Sequence, residues 1–337
     1  MWNKMKKYYV NIIILIFITL FIMIFTLKDD FYKVIYYLSN MNYIWLILAF
    51  ICMGLNILFQ SFSIYPFLKE IKKNYKFKDT ILLMTSALFF NAITPFSSGG
   101  QPFQMYILKK QGIKITDSGN ALLQNFFTYQ FALTIMGTFS IVMNHIFNII
   151  PSNSILKNIV ILGYIINLSI LLIILFLCSA KKTNTEIFNN ILNFIFKFIG
   201  KNSSLKEKIS NKIDDFYNSA IYFQNNKKIL IKSTVCNVGS LLFLYVIPLF
   251  IFFSIKNYNS LNIFESVVCS GYTFLIGSFV PIPGGTGGLE YGFINFFQGF
   301  TTGASLTACM IMWRFVTYYL GIIVGAISLL FIKKEVK

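Results

Sequence analysis

Two charged side chains near the C-terminal end of the chain could do chemistry inside a membrane. Arg314 is the single arginine of the sequence and lies about nine residues into the last long apolar run, near mid-depth at about 1.5 Å per residue. A charge at that depth costs on the order of 2.5–3.5 kcal/mol, so it needs a partner or water. Glu290, which begins the segment after a glycine-rich loop, is the nearest obvious acid. The pair could be a structural ion pair, or it could line a polar path and release either group to a substrate.

Two glycine- and proline-rich interruptions, at 97–102 and 281–288, break apolar segments of the chain. Non-helical backbone at membrane depth requires surrounding protein or a polar cavity, and paired broken segments often form transporter substrate sites. Half-helices starting at Pro102 and near Leu289 would point unpaired N–H groups at a phosphate or carboxylate. Ordinary kinks are the alternative, since membrane helices often contain Gly and Pro. The candidate substrate-binding residues are Glu290, Arg314, Gly99, Gly100, Gln101, Gln104, Gly284, Gly285 and Gly287.

Other polar side chains within the apolar segments could line the same path, although each alone more often makes an interhelical hydrogen bond. They are Asn91, Gln124, Asn125, Tyr129, Gln130, Asn237, Tyr272, Asn295 and Gln298. The sequence has no nucleophile–base pair or cluster of metal ligands, and the second loop lacks the lysine of a phosphate-binding P-loop. We therefore expect no catalytic residue, no metal and no cofactor.

The composition is typical of a membrane protein with several hydrophobic helices. Of the 337 residues, 56% are hydrophobic and only 12% are charged, about half the charged fraction of a soluble domain. Strand barrels would show alternation, which is not seen. The fold class predicted is an all-α polytopic membrane protein. Its nearly charge-free runs approach the roughly 20 residues that a spanning helix needs, and they include Val10–Leu27, Tyr43–Phe59, Ile159–Cys178 and Ile311–Ile332.

The net charge of +17 comes from lysines that cluster between the apolar runs. Such clusters indicate membrane topology and contacts with anionic phospholipids, and no motif supports direct binding to nucleic acid. The five cysteines lie within or beside apolar segments and form no CxxC pair, so the sequence indicates neither a disulfide framework nor a zinc site.

The lysines also predict the topology. If the segment after residue 80 crossed completely, the lysines that follow it and those of loop 181–228 would be external, against the positive-inside rule. If 80–108 instead dips in and returns, every dense lysine cluster is cytoplasmic, and 264–280 with 289–301 forms a second hairpin entered from outside. We predict a multi-pass protein of the cell membrane with both termini cytoplasmic. About six full spans are expected, near 8–27, 43–64, 119–143, 159–179, 229–255 and 305–332.

The whole chain, 1–337, is predicted to be a single integral membrane domain. Apolar residues of loop 181–228 recur at helical spacing on two faces with lysines between them, which favours amphipathic helices on the cytoplasmic membrane surface. A surface for docking a partner is the alternative interpretation of this loop. The sequence does not determine whether the protein forms a homo-oligomer.

Three segments resemble the lysylphosphatidylglycerol synthase/flippase transmembrane family. They are Pro281–Gly292 (PIPGGTGGLEYG), Gly99–Gly112 (GGQPFQMYILKKQG, where the family has roughly GGEPxRxYLLKRxG) and Trp313–Tyr319 (WRFVTYY). The motifs occur in the family's order, and the resemblance covers nearly the whole chain. It implies that Glu290 and Arg314 are site residues. Gln101 and Gln104 stand where the family usually has Glu and Arg, so a cationic headgroup would have one acidic partner fewer.

In two-part members of this family, the membrane domain is thought to move aminoacylated phosphatidylglycerol to the outer leaflet after a cytosolic domain has made it from aminoacyl-tRNA. The resemblance therefore implies a flippase or transporter-like protein for this or a related lipid, with a separate cytosolic synthase as a partner. One alternative is a phosphatidylglycerol lysyltransferase or its membrane subunit, contributing to cationic peptide resistance. Another is a non-transporting membrane scaffold for a synthase. The chain ends five residues after its last apolar run, so we expect the membrane part alone.

Overall fold

The computed structural model describes residues 31–150, 154–183, 226–258, 260–277 and 280–332, and these contain helices and turns but no β-strand. The fold class predicted from the sequence is therefore confirmed. The helices are α1 Phe31–Ser39, α2 Tyr43–Ile71, α3 Phe77–Ala92, α4 Gly100–Lys110, α5 Ile115–Phe147, α6 Ser154–Thr183, α7 Lys227–Ser254, α8 Ile263–Gly277, α9 Gly288–Phe297, α10 Gly303–Arg314 and α11 Leu320–Leu330.

Five helical stretches among the described residues are long and apolar enough to cross a membrane: Tyr43–Ile71, Ile115–Phe147, Ile155–Ile174, Lys227–Ser254 and Gly303–Leu330. They correspond to five of the six spans predicted, and they support a multi-pass membrane protein. The predicted span at 8–27 and residues 184–225 of the predicted amphipathic loop lie outside the described residues. The total number of spans and the membrane face from which each hairpin enters stay predictions.

Helices α2 and α7 form the centre of the bundle and pack antiparallel against each other. The Asn56 side chain donates hydrogen bonds to the Ser240 carbonyl at 2.9 Å and to its hydroxyl at 2.8 Å. At the other end of the contact, the Asn42 N–H donates to the Ser254 carbonyl at 2.7 Å. Because lipid offers no hydrogen bonds, polar contacts of this kind hold apolar helices in a defined register.

Two short helical hairpins interrupt this frame of long helices. In the first, α3 packs against α4, and the chain between them includes a tight turn at Pro95–Ser97; in the second, α8 packs against α9, with a similar turn at Pro283–Gly285. These two turns contact each other. We call residues 93–99 loop 1 and residues 280–287 loop 2. Each hairpin therefore delivers one irregular loop to a common point in the bundle.

The last long helix joins the two hairpins. Its first part, α10, packs against α1, α7 and α9, whereas its second part, α11, packs against α3. Between them, Phe315–Tyr319 forms one π-helical turn, in which the Leu320 N–H donates to the Phe315 carbonyl. Such wide turns occur mostly as single insertions within α-helices and are frequent at functional sites. The π turn thus separates a part of the helix that packs beside loop 2 from a part that packs on the first hairpin.

The contact between α11 and α3 depends on the absence of a side chain at Gly325. A Cβ at this position would lie 2.7 Å from the Phe89 nitrogen and 3.0 Å from the Thr85 carbonyl oxygen. Both atoms belong to backbone, so the contact cannot be relieved by a rotamer change. Small residues permit the same close approach in many membrane helix pairs.

Gly325→Ala is therefore expected to lower the free energy of unfolding by about 1–3 kcal/mol, the usual cost of overpacking a tight interface. The measurement is denaturant-induced unfolding in detergent micelles, followed by tryptophan fluorescence. Gly54→Ala on α2 is the matched control, because a Cβ there meets nothing within 4 Å. The Gly54 variant should be neutral or slightly stabilised, since alanine is the better helix former. Equal effects of the two substitutions would contradict this view of the α3–α11 contact.

Candidate functional site

The Arg314 side chain lies at the last residue of α10, immediately before the π turn, and is only 5% exposed. Its Nε atom is 2.7 Å from Glu290 Oε1. Its Nη2 atom donates to the Gly284 carbonyl at 3.1 Å and to the Thr286 hydroxyl oxygen at 3.2 Å. A buried guanidinium is tolerated only when its charge is compensated and its N–H groups are hydrogen-bonded. The start of α9 supplies the counter-charge, and loop 2 supplies hydrogen-bond acceptors.

The nitrogens of Arg314 contact two different elements. Nη2 donates its hydrogen bonds to loop 2, whereas Nε pairs with the Glu290 carboxylate of α9. A guanidinium carries five N–H donors in a planar fork that matches phosphate or carboxylate oxygens. The site therefore holds a fixed cation of the kind that binds anionic oxygens.

Glu290 lies in the first turn of α9, where the helix dipole favours a carboxylate. One carboxylate oxygen pairs with Arg314, and the other accepts a hydrogen bond from the Gly287 N–H at 2.6 Å. The ion pair expected from the sequence is thus present in the structure. Its side chains are 6% and 12% exposed for Arg314 and Glu290, so solvent screens it weakly.

Loop 2 takes its shape from glycine. Gly284, Gly285 and Gly287 have φ values of +66°, +64° and +87°, a region that side chains with a Cβ rarely adopt. This conformation turns the Gly284 carbonyl toward Arg314 and leaves the Thr286 side chain nearly fully buried beneath the guanidinium. The Thr286 hydroxyl donates to the Pro283 carbonyl at 2.8 Å, which leaves its oxygen lone pair for Arg314.

Loop 1 is closed by its own side chains. The Thr94 hydroxyl oxygen accepts from the Gly99 N–H at 2.8 Å, and the Asn91 amide oxygen accepts from the Gly100 N–H at 2.9 Å. A Cβ on Gly99 would lie 2.9 Å or less from atoms of Thr94 and Phe90, and a Cβ on Gly100 would overlap the Asn91 amide. Only glycine permits this approach of the α4 start to the α3 end.

The expectation of unpaired N–H groups at the half-helix starts is wrong for Gly99, Gly100 and Gly287. Each of these N–H groups donates to a side chain of the same hairpin, namely Thr94, Asn91 or Glu290. The physical reason is general, because a backbone donor left bare inside the bundle costs about 1–3 kcal/mol. The helix starts face the meeting point of the loops, but in this state their first donors are occupied.

The structure brings together some of the predicted site residues and separates others. Glu290 and Arg314 lie together with Gly284 and Gly287, whereas Gly285 of the same loop packs near Leu289 of α9. Gly99 and Gly100 lie at loop 1, which contacts loop 2. Gln101 is exposed, and Gln104 is buried with its amide donating to the Met84 sulfur at 3.1 Å, so neither contacts the ion pair.

Several of the other polar residues considered from the sequence hold the frame together. Asn125 accepts from Ser63 at 2.8 Å, and Asn237 donates to Thr128 at 3.0 Å. Thr128 is in turn 2.7 Å from Ser233, so α2, α5 and α7 share one buried network. Asn125 and Asn237 therefore make hydrogen bonds between helices, which is the more common role of such polar residues in membrane proteins.

Sequence reasoning did not single out Tyr318, which the structure places at the centre of the site. Its hydroxyl donates to the Ala92 carbonyl at 2.9 Å, and the Arg314 Cζ lies 4.5 Å from its ring centroid. A Cβ on Gly284 would overlap the same ring. The sequence contained one signal for this position. Tyr318 lies four residues after Arg314, and side chains four residues apart share one helix face.

Comparison with known proteins agrees with this architecture. The family model described as the lysylphosphatidylglycerol synthase TM region matches residues 11–325, which include both hairpins and the ion pair. A UPF0104 membrane protein of Methanocaldococcus jannaschii is 29% identical over 339 residues, covering 96% of this chain and 95% of the relative. The family resemblance drawn from three short motifs is thereby confirmed. This chain belongs to the family of lysylphosphatidylglycerol synthase transmembrane regions.

Proposed function

We propose that this protein moves a phospholipid with a charged headgroup, an aminoacylated phosphatidylglycerol or a related lipid, between the leaflets of the cell membrane. The observation that carries the proposal is the buried Arg314 guanidinium, which is held by loop 2 and Glu290 close to the point where the two loops meet. A cation costly to bury is retained inside a membrane mostly where it serves a substrate path or a proton relay. Here the planar guanidinium suits an anionic oxygen.

The charges of the site fit a headgroup that carries both signs. Arg314 can bind the lipid phosphate through Nη1 while Nε still contacts Glu290. Glu290 can receive the ammonium of an aminoacyl group once its bond to Arg314 loosens. Such an exchange keeps every buried charge paired during transfer, which is the condition that makes burial tolerable. Gln104, buried and bonded to Met84, adds no acid to this site, so a single carboxylate would recognise the amine.

In this proposal the two hairpins form the route of the lipid headgroup. In transporters, broken helices from two repeats often meet at a substrate site near the midplane, and movement of one repeat against the other alternates access. Loop 1 and loop 2 come from separate hairpins and contact each other directly. The name of the matched family adds a lipid synthase as the source of substrate, and we propose that a separate cytosolic synthase supplies it.

The ion pair should behave as a unit in stability measurements. Glu290→Gln or Arg314→Gln alone is expected to lower the free energy of unfolding by about 3–5 kcal/mol, because each leaves one buried charge without its partner. The Glu290→Gln/Arg314→Gln double variant should lose less than either single variant, since no charge remains. Denaturant unfolding in micelles measures all three, with Glu265→Gln on α8 as the acid control. Additive losses in the double variant would mean that the pair is not coupled.

The same variants separate transport from folding. In proteoliposomes, dithionite quenching of fluorescent phosphatidylglycerol, its lysyl ester and phosphatidylethanolamine reports translocation of each lipid. Arg314→Gln and the stable double variant should both lose at least about tenfold in rate, because hydrogen bonds to a charged group contribute about 1.5–3 kcal/mol. Glu290→Gln should slow the lysyl ester more than phosphatidylglycerol itself.

Glu265→Gln should translocate at the wild-type rate, since its carboxylate accepts from the Asn262 N–H at the start of α8, away from the Glu290–Arg314 pair. A folded double variant that translocates at the wild-type rate would remove the ion pair from the mechanism. No translocation of any of the three lipids by the wild-type protein would reject the proposed function itself. Lipid synthesis by the protein, or unchanged leaflet asymmetry together with binding of a synthase, would then decide between an enzyme and a scaffold.

A further inference from the structure

Tyr318 touches the end of α3, loop 2 and the Arg314 cation at once. Its hydroxyl donates at 2.9 Å to the carbonyl of Ala92, the residue immediately before loop 1, and its ring packs directly on Gly284 of loop 2. The Arg314 guanidinium lies 4.5 Å from the centroid of the same ring, within the range of a cation–π interaction. One rigid phenol therefore contacts three parts of the site.

The hydrogen bond from the Tyr318 hydroxyl to Ala92 satisfies a carbonyl at a helix end. Ala92 is the last residue of α3, and the final carbonyls of a helix have no partner within that helix. Both Ala92 and Tyr318 are buried, so water does not readily replace the bond. Loss of the hydroxyl would leave the carbonyl unsatisfied and weaken the closure of loop 1.

The position of Tyr318 in the last helix connects Arg314 with the first hairpin. Arg314 ends α10, which packs beside loop 2, whereas α11 packs on α3, which leads into loop 1. The π turn between them places Tyr318 one turn after Arg314 on the same helix. A shift of the Arg314 side chain thus acts on the ring that holds loop 1.

We propose that Tyr318 is a positioning residue that latches loop 1 to loop 2 and couples anion capture at Arg314 to release of loop 1. When a phosphate draws the guanidinium away from the Tyr318 ring, the ring loses its cation–π contact with Arg314. The Tyr318 hydroxyl then leaves the Ala92 carbonyl. Loop 1 then separates from loop 2. This inference deepens the proposed function, because it assigns the step that links headgroup binding to opening.

The latch is tested by the accessibility of loop 1. A cysteine is introduced at exposed Ser98 and labelled with a water-soluble maleimide, and labelling of the native cysteines is subtracted using the chain without Ser98→Cys. Tyr318→Phe keeps the ring and removes only the hydroxyl, so labelling should accelerate roughly three- to tenfold, as expected for loss of one hydrogen bond. Tyr319→Phe, on the same π turn, is the matched control and should label at the wild-type rate. Equal labelling of the two variants would overturn the latch.

The coupling is tested with Tyr318 intact, so it does not depend on the stability of the phenylalanine variant. Labelling of Ser98→Cys is compared in phosphatidylcholine nanodiscs with and without phosphatidylglycerol. The anionic lipid should accelerate labelling in the wild-type background and have no effect in the Arg314→Gln background. Equal acceleration in the Arg314→Gln background would overturn the coupling.

Translocation, measured in the same samples, separates this inference from the proposed function. Lipid-dependent opening without translocation by the wild-type protein would reject the proposed function and leave the latch in place. Translocation with identical kinetics in the Tyr318→Phe and Tyr319→Phe variants would reject the latch and leave the proposed function in place.

Discussion

The arrangement of both hairpins depends on how one guanidinium is compensated inside an apolar bundle. Arg314 is buried among apolar helices and therefore needs a counter-charge and hydrogen-bond acceptors from the protein itself. Glu290 provides the charge, and the Gly284 carbonyl and Thr286 hydroxyl provide the acceptors. This demand keeps loop 2 folded against the last helix. The π turn that follows Arg314 then brings Tyr318 under the same loop.

The loops themselves illustrate the rule that backbone inside a membrane protein must be satisfied. Asn91 and Thr94 accept from the N–H groups that open α4, and Glu290 accepts from the N–H group of Gly287, immediately before α9. Gly99 and Gly100 let Thr94 and Asn91 approach without a Cβ in the way, whereas Gly287 supplies a positive φ of +87°. Both hairpins therefore cap a helix start with a side chain, which comes from the end of α3 and loop 1 in the first hairpin and from α9 itself in the second. A site built in this way is closed by exchangeable side-chain bonds rather than by apolar packing.

The surrounding frame is suited to hold such a site still. A hydrogen-bonded network of Asn125, Thr128, Ser233 and Asn237 links α5 to α7, and Asn56 links α2 to α7. These bonds are made between helices whose outer surfaces are apolar, so each defines a register that lipid packing alone would not. Movement at the loops can then occur against a fixed bundle, with the last helix as the connection between the two hairpins.

The amino-acid sequence by itself determined the all-helical membrane class and the two interruptions, because long apolar runs and glycine–proline breaks have few physical solutions in lipid. It also determined the partnership of Glu290 with Arg314, since an isolated buried charge requires the nearest acid. Only the tertiary structure decided that the two loops contact each other, that the glycine N–H groups are capped, and that Gln101 and Gln104 lie away from the ion pair. The link between Tyr318 and Ala92 could not be inferred either, because it spans 226 residues and depends on how α11 packs on α3. Local spacing predicts neighbours along a helix, whereas contacts between distant segments depend on the packing of the whole bundle.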